Sequence, residues 1–206
     1  MALESLLSAY DFSHKTIAIT GGGGVLCGVM AKALAICNAN VVLLDRDLAT
    51  AERALSRLEG TKGQHRALYI DVLDKKAIET AAQIIVTEYG RIDGLINGAG
   101  GNNPKATTSP QQSFFDIPST ALEFVTNLNL LGTILTCQIF GRLMVKQQDG
   151  VILNVSSMNS FRPLTRIPAY SAAKAAVSNF TQWLSVHLAQ EYSTRIRVNA
   201  IAPGFF

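Results

Sequence analysis

Tyr170 and Lys174 are the two residues of this 206-residue sequence whose types and spacing most strongly suggest chemistry. They stand four residues apart in the segment YSAAK, which places them on one face of a predicted helix, one turn from each other. A nearby ammonium favours the phenolate form of a tyrosine, so Tyr170 could exchange a proton with a hydroxyl or carbonyl group. The same pair would also suit an ordinary solvated helix face, and its surroundings must decide between the two interpretations.

A pair of serines is the first feature of those surroundings. The predicted strand before the helix ends in the segment NVSS, which finishes at Ser156 and Ser157. Ligands of open parallel sheets bind at the carboxyl ends of the strands. A serine hydroxyl at that edge can hydrogen-bond a reacting carbonyl oxygen, which favours the proton-transfer interpretation.

A glycine-rich turn, TGGGGVLCG over residues 20–28, predicts a site for an anion. A strand that runs through glycines into a helix N-terminus lets backbone N–H groups and the helix dipole approach a pyrophosphate, although a flexible turn without a ligand is the alternative. Asp45 ends the next predicted strand, where a carboxylate can accept both ribose hydroxyls of NAD. The same charge repels a 2′-phosphate, and Arg46 beside it softens that preference. NAD is therefore expected over NADP.

Strands and helices must alternate along the chain to hold these residues. The predicted strands cover residues 16–20, 40–45, 66–70, 92–97, 151–155 and 196–201, and the predicted helices cover 25–37, 48–58, 75–89, 119–147 and 169–192. Strands that are apolar on both faces require helices on both sides of a parallel sheet. The expected fold class is α/β, a doubly wound parallel sheet of the Rossmann type. A polar loop at 98–118 is either a binding element or a surface excursion.

Composition excludes several other classes of protein. With 48% apolar residues, 16% charged residues and a net charge of +3, the chain resembles neither a disordered nor a nucleic-acid-binding protein. Three dispersed cysteines predict a reduced, cytoplasmic setting, and no ligand spacing indicates a metal site. The N-terminus lacks the pattern of a signal peptide, and polar residues interrupt the apolar stretch at 128–140, so no membrane span is expected. No linker or repeat divides residues 1–206, which predicts one domain.

In order and context, these motifs resemble those of the short-chain dehydrogenase/reductase family over nearly the whole chain. The glycine motif of that family falls at residues 20–27, its NGAG segment at 97–100 and its tyrosine and lysine in YSAAK. The resemblance implies an NAD(P)-dependent oxidoreductase that acts on CH–OH groups. It implies a catalytic set of Asn129, Ser157, Tyr170 and Lys174. The cofactor-binding residues that it implies are Gly21, Gly23, Gly24, Val25, Leu26, Asp45, Arg46, Asp71, Val72, Asn97, Gly98, Ala99, Tyr170, Lys174, Pro203 and Gly204.

The resemblance also implies a role for each member of the catalytic set. Tyr170 would be the acid and base, and Ser157, rather than Ser156, would orient the substrate. Lys174 would bind the nicotinamide ribose and tune Tyr170. Asn129, rather than Asn127, would hold a water molecule that relays protons.

Two residues depart from the TGxxxGxG pattern of the family, because Val25 and Cys27 stand where glycines are usual. The run TGGGGVL and the segments NGAGGNNPKATT and SSMNSFRPLTRIPAYSAAK are similar to the sugar-acid branch of the family, the D-mannonate oxidoreductases or fructuronate reductases. A thiol at Cys27 should crowd the approach of the helix to the cofactor and weaken NAD binding by about 1–2 kcal/mol.

The expected substrate is a small anionic sugar acid of the D-mannonate or D-fructuronate type, or a related polyol. The candidate substrate contacts are Ser157, Asn159, Arg162, Arg166, Asn102 and Lys105. Arginine suits bidentate contacts with a carboxylate, although Arg162 and Arg166 could equally be surface or interface charges.

Three further expectations follow from the resemblance. A homodimer or homotetramer is implied, with Phe180 and Trp183 either in the contact between subunits or buried within one subunit. Family members continue past the sixth strand, so a seventh strand and a substrate lid are expected to be missing after Phe206 and the domain to be truncated there. The alternative function is that of a nucleotide-binding protein with little or no turnover, such as a redox sensor or a partner subunit.

Overall fold

The aliphatic and β-branched runs of the sequence form six strands in one sheet, with the order β3-β2-β1-β4-β5-β6. The computed structural model describes residues 10–204, which divide into one unit up to Gly98 and a second unit from Ala99 onward. Helices separate successive strands along the chain. The expected α/β fold with six strands is therefore confirmed.

Over residues 10–98, the first unit contains four strands and three α-helices. In chain order they are β1 (Thr16–Thr20), α1 (Val25–Ile36), β2 (Asn40–Asp45), α2 (Leu48–Leu55), β3 (His65–Tyr69), α3 (Lys75–Tyr89) and β4 (Gly94–Asn97). Strand β1 pairs in parallel with β2 on one side and with β4 on the other, and β2 pairs in parallel with β3. All five residues of β1 are buried, so this strand is the centre of the core of the unit.

The second unit contains two strands and three α-helices. In chain order they are α4 (Ser119–Thr126), a π-helical turn (Asn127–Leu131), α5 (Gly132–Gln147), β5 (Gly150–Val155), α6 (Pro168–Glu191) and β6 (Ile196–Ile201). Strand β5 pairs in parallel with β6. Phe140 and Met144 of α5 and Ile152 of β5 are fully buried in the core of this unit.

Several predicted bounds shift where hydrogen bonding overrides the apolar pattern. Strand β4 begins at Gly94 instead of residue 92, because the side chain of Asp93 accepts the backbone N–H of Thr16 and salt-bridges Lys15 and Arg91. Helix α2 ends at Leu55 and continues as a 3₁₀ turn over Ser56–Leu58. The most consequential difference is the π-helical turn within the helix predicted at 119–147.

Two features of the described residues bear on whether the chain could cross a membrane or bind a metal ion. Among residues 10–204, the continuous helical stretch Ser119–Gln147 is long and apolar enough to cross a membrane by length and composition alone. Of its most apolar window, 44% is buried, and core helices of soluble proteins satisfy the same criterion, so this is weak evidence of a span. Within the same described residues, no group of three or more His, Cys, Asp or Glu side chains could hold a metal ion.

Candidate functional site

The glycine turn joins β1 to the N-terminus of α1. Gly21 adopts a φ of 65°, a left-handed conformation that favours glycine. A Cβ atom at Gly23 would lie 2.7 Å from the side chain of Thr50 in α2, so the turn also requires a bare backbone at this point. Helix α1 starts at Val25 with Gly24 as its N-cap, and within the described structure no side chain caps it and its first turn has no acidic residue. The N-terminus of this helix, with its dipole and without a side-chain cap, suits an anion.

Asp45 connects the end of β2 to the glycine turn. Its Oδ2 accepts the backbone N–H of Gly23 at 3.0 Å, and its Oδ1 accepts that of Asp47 at 3.0 Å. The structure therefore brings Asp45 to the predicted anion site, and Arg46 beside it is exposed. The sequence indicated Asp45 only as a ribose ligand, whereas the structure shows that it also fixes the conformation of the turn.

The side chain of Cys27 is buried in the protein interior rather than on the exposed surface of the turn. Its side chain is only 4% exposed, and Sγ is 3.7 Å from the carbonyl oxygen of Thr20. A Cβ atom built on Gly98 would lie 2.1 Å from this Sγ, so the thiol occupies space that a side chain at Gly98 would need. Its predicted effect on NAD affinity stays a prediction, but the absence of a side chain at Gly98 makes room for the thiol.

The remaining candidate cofactor residues of the first unit follow strands β3 and β4. Asp71 accepts the N–H of Leu73 at its Oδ1, and Val72 is buried. Asn97 is buried at the end of β4, and the N–H of Gly98 donates to the hydroxyl of Thr20 at 3.1 Å. These contacts hold the ends of β1 and β4 together next to the glycine turn.

In the second unit, Asn129 lies in the π-helical turn and is fully buried. Its amide pairs with the backbone of Gly101: Nδ2 donates to the Gly101 carbonyl at 2.7 Å, and Oδ1 accepts the Gly101 N–H at 3.1 Å. Nδ2 also donates to the carbonyl of Val125, and the Asn129 carbonyl accepts the hydroxyl of Thr133 at 2.8 Å. π-helical turns are frequent at functional sites. This turn contains both asparagines, of which Asn127 is exposed and Asn129 is buried, and the role of Asn129 stays a prediction.

Lys174 and Tyr170 lie on one face of α6, as the spacing predicted. The Lys174 side chain is buried, and its Nζ is 5.7 Å from the centroid of the Tyr170 ring. Nζ donates to the carbonyl oxygen of Val155, the last residue of β5, at 2.7 Å. The Lys174 carbonyl accepts the hydroxyl of Ser156 at 3.0 Å, so Ser156 is used in packing β5 against α6.

Ser157 has a different environment from Ser156. It caps the short 3₁₀ turn Met158–Ser160, and its Oγ accepts the N–H of Asn159 at 3.2 Å. This bond uses an acceptor site of the hydroxyl and leaves its proton available for a ligand. Asn159 is buried, and its Oδ1 has no hydrogen-bond partner among the described residues.

The other candidate substrate residues lie on the loop at 98–118 and on the loop that precedes α6. A backbone hydrogen bond of 2.9 Å from Thr108 to Arg166 connects these two loops, which supports the prediction that they approach each other. Arg162, Arg166 and Lys105 are exposed. Asn102 donates to the hydroxyl of Thr107 at 2.8 Å, so its amide helps to shape the loop.

The C-terminal candidates Pro203 and Gly204 follow β6. The Pro203 carbonyl accepts the N–H of Met158 at 2.9 Å, and a Cβ atom at Gly204 would lie 3.6 Å from the sulfur of Met158. This segment therefore packs on the turn that carries Ser157. Ala99 is half-buried.

Comparisons with known proteins agree with this fold and these motifs. A model of the short chain dehydrogenase family matches residues 15–206. An uncharacterized oxidoreductase of Haemophilus influenzae is 45% identical over 98% of this chain and 73% of its own length. A D-threitol dehydrogenase of Mycolicibacterium smegmatis is 33% identical over 97% of this chain and 74% of its own length. A Haemophilus influenzae structure with bound NAD, named as a candidate D-mannonate oxidoreductase, superposes with a TM-score of 0.90 at 44% identity, covering 98% of this chain and 74% of that one.

The fold and the comparisons together define a Rossmann-type oxidoreductase. The chain belongs to the short-chain dehydrogenase family, as its motifs predicted. The predicted class of enzyme, an NAD(P)-dependent oxidoreductase acting on CH–OH groups, is confirmed with it.

Proposed function

We propose that this enzyme transfers a hydride between NAD(H) and a sugar acid of the D-mannonate or D-fructuronate type, or a related polyol. The observation that carries the proposal is the buried ammonium of Lys174 beside the ring of Tyr170, at 5.7 Å from its centroid. A fixed cation next to a phenol favours the negative charge that develops on the tyrosine oxygen when it gives up a proton.

The glycine turn fits NAD as the cofactor. The uncapped N-terminus of α1 suits the pyrophosphate, and the carboxylate of Asp45 suits the free ribose hydroxyls better than a 2′-phosphate. The NAD bound to the similar Haemophilus influenzae structure supports this choice. When bound, the nicotinamide ring supplies the hydride acceptor for oxidation or the hydride donor for reduction.

The residues of the second unit would manage the proton. In the oxidation direction, the Oη of Tyr170 takes the proton of the substrate hydroxyl, and in the reduction direction it returns a proton to the carbonyl oxygen. Lys174 stabilises the phenolate by its positive charge. Ser157 would donate its hydroxyl proton to the substrate oxygen, since the bond that it accepts from Asn159 leaves this proton available. Asn129 would hold a water molecule that exchanges the proton with solvent.

The choice of a hydroxyl-rich anion has three supports. The buried Oδ1 of Asn159 lacks a partner among the described residues, a costly state that a donor hydroxyl of a substrate would relieve. Arg162 and Arg166 provide exposed positive charge on the loop that follows Ser157, and a guanidinium recognises a carboxylate well. Polyol and sugar-acid names among the similar proteins point to the same substrate class.

The decisive experiment combines a binding measurement with a turnover measurement on the same sample. NAD is titrated by calorimetry, and NADH oxidation is followed at 340 nm against a panel of keto-sugar acids and simple ketones. We expect NAD binding and turnover with keto-acid sugars such as fructuronate. NAD binding without turnover on any substrate would favour the alternative of a non-catalytic nucleotide-binding protein.

Two variants test the contacts with the substrate. Arg162→Ala and Arg166→Ala should raise KM for an anionic sugar while leaving the affinity for NAD unchanged. An unchanged KM in both variants would remove these arginines from the proposal.

We further propose one cytoplasmic domain over residues 1–206 that assembles as a homodimer or homotetramer. Trp183 is 56% exposed among the described residues and stacks on His187 at 4.8 Å and on Phe180 at 6.1 Å, which supports the subunit contact over burial within the subunit. Trp183→Lys should lower the mass measured by light scattering if this aromatic row forms the contact between subunits.

A further inference from the structure

Gly100 leaves space that two members of the candidate catalytic set fill. A Cβ atom built on Gly100 would lie 2.6 Å from Oδ1 of Asn129 and 3.3 Å from Nζ of Lys174. The first distance is shorter than real Cβ atoms tolerate, so a side chain at this position would require one of the groups to move.

Neither group can move without losing hydrogen bonds. The Asn129 amide is held by both backbone groups of Gly101 and by the Val125 carbonyl. The Lys174 ammonium donates to the Val155 carbonyl at 2.7 Å, and its side chain is buried. A displaced amide or ammonium would therefore leave buried polar groups without their partners.

We propose that Gly100 is a positioning residue, whose bare backbone sets the buried location of the Lys174 ammonium and the orientation of the Asn129 amide. The absence of a Cβ atom lets the loop after β4 close against both groups at once. The consequence for catalysis rests on the proposed function, because Lys174 acts there through Tyr170. The positional part of the proposal is independent of turnover.

Chemical labelling tests the positional part directly. Lysine acetylation by a succinimidyl ester, with peptide mass spectrometry, reports how accessible Lys174 is in the folded enzyme. Gly100→Ala should raise the labelling rate of Lys174 at least about fivefold, the factor that corresponds to the loss of one net hydrogen bond. Gly141→Ala is the matched control, because a Cβ atom there would lie 3.9 Å from Ile152, an ordinary contact, and the rate should stay unchanged.

Turnover in a double-mutant cycle tests the catalytic part. Gly100→Ala should lower kcat about 10- to 100-fold through the misplaced ammonium, whereas the same change in a Lys174→Ala background should lower it less than about twofold. A purely structural effect of Gly100 would lower kcat equally in both backgrounds. Equal losses, or unchanged labelling of Lys174 in Gly100→Ala, would overturn the proposal.

Two further comparisons distinguish a failure of the proposed function from a failure of the proposed role of Gly100. Absence of turnover in the wild-type enzyme would contradict the proposed function, while the labelling rates would still decide the role of Gly100. If Gly100→Ala does not fold, Gly100→Ala/Asn129→Ala, which lacks the nearest atom, should give as much folded protein as Asn129→Ala alone. A yield of the double variant far below that of Asn129→Ala would show that the contact with Asn129 is not the cause, and would overturn the proposal.

Discussion

Cys27 and Gly98 should be energetically coupled, because the side chain of one fills the space left by the other. In Gly98→Ala, the new Cβ atom would lie 2.1 Å from Sγ of Cys27, whereas an uncrowded contact needs about 3.5–4.0 Å. The thiol is buried against the Thr20 carbonyl, so it has little freedom to retreat. We therefore expect Gly98→Ala to cost about 3 kcal/mol, the upper end of the usual range for overpacking.

The other single variant, Cys27→Gly, should lower the free energy of unfolding by less. Cys27→Gly removes a small buried side chain, worth about 1 kcal/mol, and adds a glycine to the first turn of α1, worth about 0.5–1 kcal/mol. In Gly98→Ala/Cys27→Gly, the methyl group at 98 enters the space of the missing thiol. One close contact, 2.9 Å to the Thr20 carbonyl, then remains.

The double variant should therefore be destabilised by only about 2 kcal/mol, compared with about 5 kcal/mol for the sum of the single variants, a coupling of about 3 kcal/mol. Urea denaturation gives the free energies of unfolding, and Gly98→Ala alone should lower Tm by about 6–12 °C for a chain of this size. Gly141→Ala, with no close contact, is the control. Single-variant effects that add to within about 0.5 kcal/mol would refute the compensation.

The same variants decide how Cys27 affects the cofactor. The motif normally has a small residue here to allow close packing of helix and strand, so Cys27→Gly should tighten NAD binding. Since the absent side chain of Gly98 already accommodates the thiol, we expect the lower end of the predicted range, about 1 kcal/mol or fivefold in Kd. An NAD affinity that calorimetry finds unchanged would contradict the expected crowding.

Three further variants test separate parts of the structure. Asp45→Asn should weaken NAD binding by about 1.5–3 kcal/mol and weaken NADP binding less, as calorimetry with both cofactors would show, because it removes the charge of the acceptor that we propose for the ribose hydroxyls. Tyr170→Phe should lower kcat about 10²–10⁴-fold with little change in NAD affinity, and near-normal NADH oxidation by this variant would exclude Tyr170 as the acid and base. Burial lowers the pKa of His65 from 6.5, and its Nδ1 accepts the N–H of Val41, so the folded state takes up a proton less readily than the unfolded state. Wild-type stability should therefore fall as the pH drops from about 7 to 5, by at most 1.4 kcal/mol per pH unit, and His65→Gln should flatten that slope in urea titrations.

Elements with local signals were predicted best. Helix α3 has the predicted bounds, Lys75–Tyr89, because the side chain of Asp74 accepts two N–H groups of its first turn and Gly90 ends it with a φ of 75°. Strands β1, β2 and β6 also have their predicted bounds, since their apolar runs are bordered by polar or glycine residues. Strand β3 is shifted by one residue, because its pairing with β2 extends to His65 opposite Val41, a partner that the local pattern does not specify.

The candidate site was predictable in its residue types but not in its supporting contacts. Spacing alone places Tyr170 and Lys174 on one face of α6, and the structure agrees. The π-helical turn at Asn129 has no local signal, because the amide that stabilises it pairs with Gly101, far away in the sequence. The bond between Asp45 and Gly23 is equally non-local, so sequence reasoning assigned Asp45 a ligand and missed its role in the turn.

The effect of a residue that departs from a family motif is also hard to predict from the sequence, because it depends on the spatial neighbours of that residue. Judged alone, Cys27 violates a glycine position and predicts a weakened cofactor site. Judged with its spatial neighbour, it fills the space that Gly98 leaves at the end of β4, and the turn of glycines keeps the left-handed Gly21 and the uncapped N-terminus of α1. Close-packed interiors tolerate substitutions that conserve the total side-chain volume. A larger residue can therefore stand at a motif position when a neighbouring residue is small. The effect of a residue that departs from a motif therefore depends on the space that its neighbours leave, which here is the missing side chain of Gly98.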